Sequence, residues 1–210
     1  MKEQDLIDFE NDVIKEYKKG EIYGSVHLCG GNEKQLIEIF KQIKDDDWVF
    51  SNHRAHYHIL LKSKDKKWMM REIKKGHSDH INSNKYKIFT SVIVGGIIPI
   101  ALGTAMAIKR KGGKNKVWCF IGDHASEMGC FDEAVKYAEN FDLPVIFIIE
   151  NNKIGSNMET EKVWGKQIKI ISPKVINYEY SMTKSHYGIG EWIKFKGKNK
   201  FKGTAGMYGR

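Results

Sequence analysis

The sequence predicts a single α/β domain in which helices flank a parallel β-sheet. Two apolar runs of strand length, residues 117–121 and 144–149, are separated by residues 128–141, whose apolar side chains recur at helical spacing. A strand, a helix and a strand that follow one another so closely form a βαβ unit, and the two strands of such a unit run parallel. With 41% hydrophobic residues among 210, the chain can bury one core of ordinary size.

The segments before this unit are predicted to be mostly helical. Apolar residues lie at helical spacing in residues 6–17 and 33–44, which predicts two amphipathic helices. Residues 48–50 predict a short extended segment, and residues 66–75 predict a further helix. After Thr160 the pattern weakens, and residues 168–171 are a candidate for one more strand.

An uncharged segment, residues 88–108, is long enough to be considered as a membrane span. Two glycines followed by a proline, Gly95, Gly96 and Pro99, would interrupt a continuous helix there. We therefore expect a short buried strand that ends at Val94, a glycine turn, and a buried helix that begins at about Pro99. This interpretation predicts no membrane partner.

The chain is basic, because 35 Lys and Arg residues stand against 26 Asp and Glu residues, a net charge of +9 with a pI near 9.3. This balance suits a polyanion, a phosphate-bearing ligand or an acidic partner, and equally a lysine-rich surface that keeps the chain in solution. Neither a helix-turn-helix motif nor an RNA-binding aromatic pair accompanies the lysines. We therefore expect no nucleic-acid partner.

Cysteine usage indicates a reducing compartment. Cys29, Cys119 and Cys130 are widely spaced and form no Cys-x-x-Cys pair, and residues 1–5 are too polar for a secretory signal. We expect a cytoplasmic protein without disulfide bonds. Its domain is predicted to cover residues 1–187, followed at residues 188–210 by a tail rich in Gly and Lys that is loosely folded or ordered only against a partner.

Two residues with oxygen donors stand at the ends of the predicted strands. Asp123 comes soon after residues 117–121, and Asn152 soon after residues 144–149. Ligands of parallel sheets bind beyond the carboxyl ends of the strands, so both residues are candidates for a binding site. A carboxylate and an amide oxygen suit Mg²⁺, with phosphate oxygens and water completing its coordination. The alternative is structural: Asp123 caps the following helix, and Asn152 belongs to a turn.

The order of these motifs resembles a known family. Gly122 and Asp123, a helix, and a strand followed by Asn151 and Asn152 are similar to the thiamine diphosphate signature, which consists of Gly-Asp-Gly, a helix and Asn-Asn. More narrowly, the chain resembles the alpha subunit of the thiamine-dependent 2-oxo acid dehydrogenases. Three further stretches resemble that family in the same order, namely residues 24–33, 50–56 and 93–103.

This resemblance implies a thiamine diphosphate-binding fold and assigns residues to the diphosphate and its Mg²⁺. Asp123 and Asn152 match the side-chain ligands of the metal, and Ile154 lies where the family supplies a backbone carbonyl to it. Arg54 matches the arginine that binds the diphosphate, and a planar guanidinium suits that anion. Ala125 offers a backbone N–H at the start of a helix.

The other implied positions complete the cofactor site. His53 and His56 fall in a segment similar to the family's Tyr-Arg-x-His, and they are the candidate catalytic residues. Val92 and Val94 match backbone positions that contact the aminopyrimidine ring, and Gly122 opens the diphosphate-binding turn. A zinc site made from the many histidines is an alternative, although their spacing is unusual for zinc and no cysteine joins them.

The sequence departs from the family at His124, where the family has glycine. Glycine there lets the backbone approach a phosphate closely, whereas a histidine either closes the pocket or itself binds an anion. The family also has a later histidine that binds the diphosphate. His186 is the only candidate for that role, and its neighbours do not match the family, so we expect it not to fill the role.

The function implied by the resemblance is decarboxylation of a 2-oxo acid, with thiamine diphosphate and Mg²⁺ as cofactors. It also implies a separate beta-type subunit that carries the pyrimidine-binding domain, in an α₂β₂ assembly or a homo-oligomer. Two alternatives remain open at this point. One is the N-terminal half of a split transketolase-like enzyme, and the other is a degenerate subunit that keeps the fold but has lost the cofactor.

Overall fold

A five-stranded parallel sheet forms the centre of the protein. The computed structural model describes residues 1–155, 158–166, 170–184 and 188–189. The strands are β1 (Trp48–Ser51), β2 (Ile88–Thr90), β3 (Val117–Gly122), β4 (Val145–Asn151) and β5 (Val175–Glu179). Their order across the sheet is β2-β1-β3-β4-β5, and every neighbouring pair is parallel. The prediction of a parallel sheet flanked by helices is confirmed.

Helices cover both faces of this sheet. In chain order they are α1 (Glu3–Lys18), α2 (Glu33–Phe40), α3 (His56–Ser63), α4 (Lys66–Glu72), α5 (Ile97–Arg110), α6 (Asp123–Ser126), α7 (Gly129–Asn140) and α8 (Thr160–Trp164). A π-helical turn at Ile73–His77 follows α4. No helix within the described residues is long and apolar enough to cross a membrane.

Successive residues of β3 serve two hydrophobic cores, because side chains alternate between the faces of a strand. Trp118 and Phe120 join the core formed with α1, α2 and α3. Cys119 and Ile121 join the core formed with α5 and α7 on the opposite face. All four are nearly or fully buried, which explains why the central strands are continuous apolar runs in the sequence.

The predicted helix at residues 128–141 and the uncharged segment behave largely as expected. The helix predicted at residues 128–141 is α7, which begins at Gly129. The uncharged segment, residues 88–108, contains most of α5, whose residues Ile98, Ala101 and Ala105 are buried. The turn predicted at Gly122 and Asp123 is instead the start of a separate short helix, α6, which precedes α7.

The prediction that a buried strand extends to Val94 is wrong. Strand β2 ends at Thr90, and the residues Val92, Ile93 and Val94 are 50%, 69% and 55% exposed. The chain leaves the sheet because it turns here: the Gly96 N–H donates to the Ile93 carbonyl at 3.0 Å, and the intervening Gly95 has a φ of +73°.

Other elements of the fold also differ from the predictions. Helix α2 ends at Phe40, before residue 44, and α3 was not predicted at all, because it is buried on nearly every side and shows no clear polar face. Strand β5 was also missed. Ile170 and Ile171 are not in a strand, while residues 167–169, His186 and the tail after residue 189 lie outside the described residues.

We predict that Phe120→Ala destabilises the protein strongly, because Phe120 is fully buried and its ring centroid lies 4.2 Å from that of His58 and 5.5 Å from that of Phe40. The free energy of unfolding in urea should fall by about 3–5 kcal/mol. The matched control is Phe141→Ala, because Phe141 is 53% exposed and its truncation should cost about 0.5 kcal/mol. Equal losses in the two variants would contradict this assignment of the core.

Candidate functional site

A pocket of about 160 Å³ lies at the carboxyl ends of β1, β3 and β4. The register of β3 and β4 pairs Gly122 with Glu150, so the residues that follow both strands meet at this edge of the sheet. The pocket brings together most of the predicted site residues, namely His53, Arg54, Val94, Gly122, Asp123, His124, Ala125, Asn152 and Ile154. His56 and Val92 do not line it.

Asp123 is the buried carboxylate of the pocket, with 2% of the residue exposed. Its Oδ2 accepts a hydrogen bond from the Thr160 hydroxyl, and its backbone carbonyl accepts one from Ser126 Oγ at 2.7 Å. Burial raises the pKa of the Asp123 carboxyl above its ordinary value, and the hydrogen bond from Thr160 opposes that rise. A carboxylate can accept several hydrogen bonds, so the bond from Thr160 leaves lone pairs of the Asp123 carboxylate available to bind a cation.

Asn152 and Ile154 lie in the tight turn that follows β4. The Asn152 Oδ1 accepts a hydrogen bond from the Ile154 N–H at 3.1 Å, and the intervening Lys153 has a left-handed φ of 64°. The described residues contain no group of three His, Cys, Asp or Glu side chains that could hold a metal ion. A cation in this pocket would therefore depend on Asp123, on amide and backbone oxygens, and on oxygens of its own ligand.

Arg54 supplies the cationic group of the pocket. Its backbone N–H donates to Asn52 Oδ1 at 2.7 Å, and its guanidinium hydrogen bonds the hydroxyl of Tyr180. The Arg54 Nε is buried without a hydrogen-bond partner among the described residues. Burial raises the pKa of the Tyr180 hydroxyl, and the positive charge of Arg54 opposes the rise. Tyr180 was missed because it follows β5, the strand that the sequence pattern did not reveal.

His124 projects from α6 against the turn after β4. A Cβ atom built onto Gly155 would lie 2.8 Å from His124 Nε2, so the imidazole rests directly on the glycine. The His124 Nε2 is buried without a hydrogen-bond partner among the described residues. The departure from the family motif thus places an imidazole inside the pocket that holds Asp123 and Arg54.

The two candidate catalytic histidines have different surroundings. His53 lines the pocket, and its ring centroid lies 4.4 Å from that of His27 in an edge-to-face contact. His56 is fully buried elsewhere: its Nδ1 lies 3.0 Å from both carboxylate oxygens of Glu10, and its Nε2 lies 2.9 Å from Ser78 Oγ. The structure therefore brings His53, but not His56, into the pocket.

Glu150 is a pocket residue that the sequence interpretation missed. Its Oε1 accepts hydrogen bonds from Tyr178 at 2.7 Å and from the Asn32 amide at 2.9 Å, and His58 Nε2 lies 3.2 Å from the same oxygen. Burial and the neighbouring Glu150 raise the pKa of the Tyr178 hydroxyl. The sequence did contain a signal for Glu150, because this charged residue directly follows the buried apolar residues of β4. A charge at such a position is costly unless it is paired, so polar partners could have been expected there.

Comparison with known proteins agrees with the predicted family. The family model described as dehydrogenase E1 component matches residues 1–171. The chain is 36% identical over 157 residues to the alpha subunit of acetoin:2,6-dichlorophenolindophenol oxidoreductase from Bacillus subtilis, covering 70% of this chain and 47% of that protein. It is 33% identical over 155 residues to the pyruvate dehydrogenase E1 component subunit alpha of Rickettsia bellii, covering 69% and 48%.

The chain therefore belongs to the dehydrogenase E1 component family, and the predicted likeness to alpha subunits is confirmed. It spans about half the length of the curated relatives it matches. A solved structure of an enzyme from Mycobacterium smegmatis, assigned as thiamin diphosphate-dependent, is 18% identical with a TM-score of 0.39, covering 55% of this chain and 19% of that one. That overlap is too small to add to the fold assignment.

We predict that Asp123→Asn stabilises the protein in the absence of ligand. A carboxyl whose pKa is raised by folding binds protons more tightly in the folded state, so stability falls as the pH rises from the unfolded toward the folded pKa. The amide removes this penalty and still accepts a bond from Thr160. At pH 7 the free energy of unfolding should rise by about 1 kcal/mol, measured by urea denaturation.

Asp47→Asn is the matched control, since Asp47 is also 2% exposed. Its carboxylate accepts bonds from the backbone N–H groups of Lys44 and Lys116 and from the Trp118 indole. In the variant, the amide NH₂ group would face one of these N–H donors and could not accept its hydrogen bond. The free energy of unfolding should therefore fall by about 1–3 kcal/mol. If Asp123→Asn lowers the free energy of unfolding as much as the control does, burial of the ionised Asp123 carboxylate does not destabilise the folded protein.

Proposed function

We propose that this chain is the alpha-type subunit of a thiamine diphosphate-dependent enzyme that decarboxylates a 2-oxo acid, and that its pocket holds the Mg²⁺–diphosphate end of the cofactor. The observation that carries the proposal is the convergence of Asp123, Asn152 and Arg54 on one pocket at the ends of parallel strands. These are the residues that the family resemblance assigns to the metal and the diphosphate. Membership of the dehydrogenase E1 component family supports this assignment over a transketolase-like enzyme.

The oxygen atoms of the pocket are suitable ligands for a magnesium ion. The Asp123 carboxylate, the Asn152 amide oxygen and the Ile154 carbonyl are hard oxygen ligands, and Mg²⁺ takes its remaining ligands from phosphate and water. A dication would also compensate the buried negative charge of Asp123, which the structure otherwise supports with one hydroxyl hydrogen bond.

The pocket also fits the anionic end of the cofactor. The Arg54 Nε is buried and unpartnered among the described residues, and guanidinium groups form strong hydrogen bonds with phosphate oxygens. The proposed cofactor supplies the carbon nucleophile for the reaction when it is bound. The chain's own residues would position it, and His53 is the imidazole placed to contact a substrate beside it.

The same proposal includes a partner subunit. Val92, Ile93 and Val94 are exposed at the pocket, and Ile93 and Val94 line it. Exposed apolar residues beside a binding site are typical of an interface. The relatives are named as alpha subunits, which supports a beta-type partner subunit. In this proposal the partner covers the loop and completes the site, in an α₂β₂ assembly or a homo-oligomer in the cytoplasm.

Acetoin is a second candidate substrate, because two of the relatives are alpha subunits of acetoin oxidoreductases, at 36% and 37% identity. Acetoin carries no carboxylate, so its oxidation releases no CO₂. An assay of the chain co-expressed with its partner, with 2,6-dichlorophenolindophenol as electron acceptor, would separate the two reactions. Release of CO₂ from a 2-oxo acid supports the main proposal, and acceptor reduction with acetoin alone supports the second.

We expect thiamine diphosphate to bind the purified chain only when Mg²⁺ is present. In isothermal titration calorimetry, Asp123→Ala should weaken binding by more than about tenfold, because it removes the anionic ligand of the metal. Asp46→Ala is the control, since Asp46 is exposed in a turn away from the pocket and should bind like the parent. Equal affinity of the parent and Asp123→Ala in the presence of Mg²⁺ would refute the proposed site.

The chain alone is expected to be inactive toward 2-oxo acids even when it is loaded with the cofactor and Mg²⁺. The proposed site is completed by the partner, so CO₂ release should not exceed that of free thiamine diphosphate. The measurement is CO₂ release by a pure single-chain preparation with a panel of 2-oxo acids. Turnover at about 1 s⁻¹ or faster, as is typical of enzymes, would contradict the need for a second subunit.

A further inference from the structure

The imidazole of His124 is the feature of this pocket that the family resemblance does not explain. Its Nε2 is buried with no hydrogen-bond partner among the described residues, although buried polar atoms are nearly always paired. With the proton on Nε2, or in the charged form of the ring, this nitrogen is a hydrogen-bond donor that lacks an acceptor. An unpaired nitrogen in a binding pocket points to a ligand that supplies the missing partner.

A second buried nitrogen in the same pocket also lacks a hydrogen-bond partner among the described residues. The Arg54 Nε is also buried and unpartnered, and both side chains line the pocket. Guanidinium and imidazole groups both donate hydrogen bonds to anions. The other ionisable side chains that line the pocket are Asp123, His53, Glu150 and Tyr180. Two unsatisfied nitrogens of this kind suit a ligand with several anionic oxygens, and a diphosphate is such a ligand.

Gly155 provides the space that the imidazole occupies. A Cβ at this position would lie 2.8 Å from Nε2 and 2.9 Å from Cε1 of His124, closer than such atoms approach in proteins. Because Gly155 has no side chain, the ring can pack against the turn after β4 while it lines the pocket. His124 and Gly155 therefore act as a pair in which the glycine sets the position of the imidazole.

We propose that His124 is an anion-binding residue that donates a hydrogen bond to a phosphate oxygen in this pocket, alongside Arg54, and that Gly155 holds it in position. The inference rests on the proposed function insofar as the anion is the diphosphate of thiamine diphosphate. It differs from the competing interpretation, in which the histidine fills the space of the family's glycine and keeps the diphosphate out.

Inorganic pyrophosphate is the probe that tests this inference, because it carries the anionic group without the rest of the cofactor. Isothermal titration calorimetry on the full chain with Mg²⁺ should show binding to the parent and about tenfold weaker binding to His124→Ala. His124→Gln keeps a side-chain N–H and should stay within about threefold of the parent. Unchanged or tighter binding by His124→Ala would overturn the proposal.

Gly155→Ala is a second variant that tests the pairing. In the parent it should displace the imidazole and weaken pyrophosphate binding by about tenfold, whereas in the His124→Ala background it should have little effect, because the ring is gone. His80→Ala, at an exposed histidine away from the pocket, is the control. Circular dichroism of each variant establishes that it is folded. An equal effect of Gly155→Ala in both backgrounds would overturn the role given to Gly155.

The outcomes separate this inference from the proposed function. Binding of pyrophosphate that depends on His124, without binding of thiamine diphosphate, would support the anion role of His124 and refute the cofactor assignment. Binding of thiamine diphosphate that is unaffected by His124→Ala would support the cofactor assignment and refute the role of His124. If the folded parent binds neither ligand at millimolar concentration, both proposals are wrong.

Discussion

The parallel pairing of β3 with β4 is the constraint on which the site depends. This pairing sets Gly122 opposite Glu150, so Asp123 and the turn that contains Asn152 leave the sheet at the same edge. The two strands can hold this register because both are buried on their two faces by separate cores. A shift of the register would separate the polar residues that follow the strands, and the pocket between them would be lost.

The pocket concentrates polar groups that the fold leaves incompletely satisfied. Asp123 is buried with a raised pKa, and Arg54 Nε and His124 Nε2 are buried without partners among the described residues. In the nearby network, by contrast, Glu150 receives hydrogen bonds from Asn32 and Tyr178. The Oδ1 of Asn32 in that network is itself buried without a partner among the described residues, so the pocket is distinguished by two unpartnered nitrogens beside a buried carboxylate.

Much of the fold was predictable because its strongest signals are local. The apolar runs of β3 and β4 and the helical spacing of α7 lie within one short segment of the chain, and they identified the parallel sheet. Helix α3 has no polar face and β5 is a partly exposed edge strand, so neither produced a distinct periodicity. The sequence wrongly predicts buried strand for the apolar residues after β2, because composition does not distinguish a buried segment from an exposed apolar loop.

The candidate site was predictable where a residue's position follows from a strand end, as for Asp123, or from a motif, as for Arg54. Tertiary contacts decided the rest, including the burial of His56 against Glu10 and the contact of His124 with Gly155. The most direct test of the account is a crystal of the chain grown with thiamine diphosphate and Mn²⁺ in place of Mg²⁺. The account predicts an anomalous manganese peak within bonding distance of the Asp123 carboxylate and the Asn152 amide oxygen. An ordered cofactor whose metal lies elsewhere, or a pocket without metal at saturating cofactor, would contradict it.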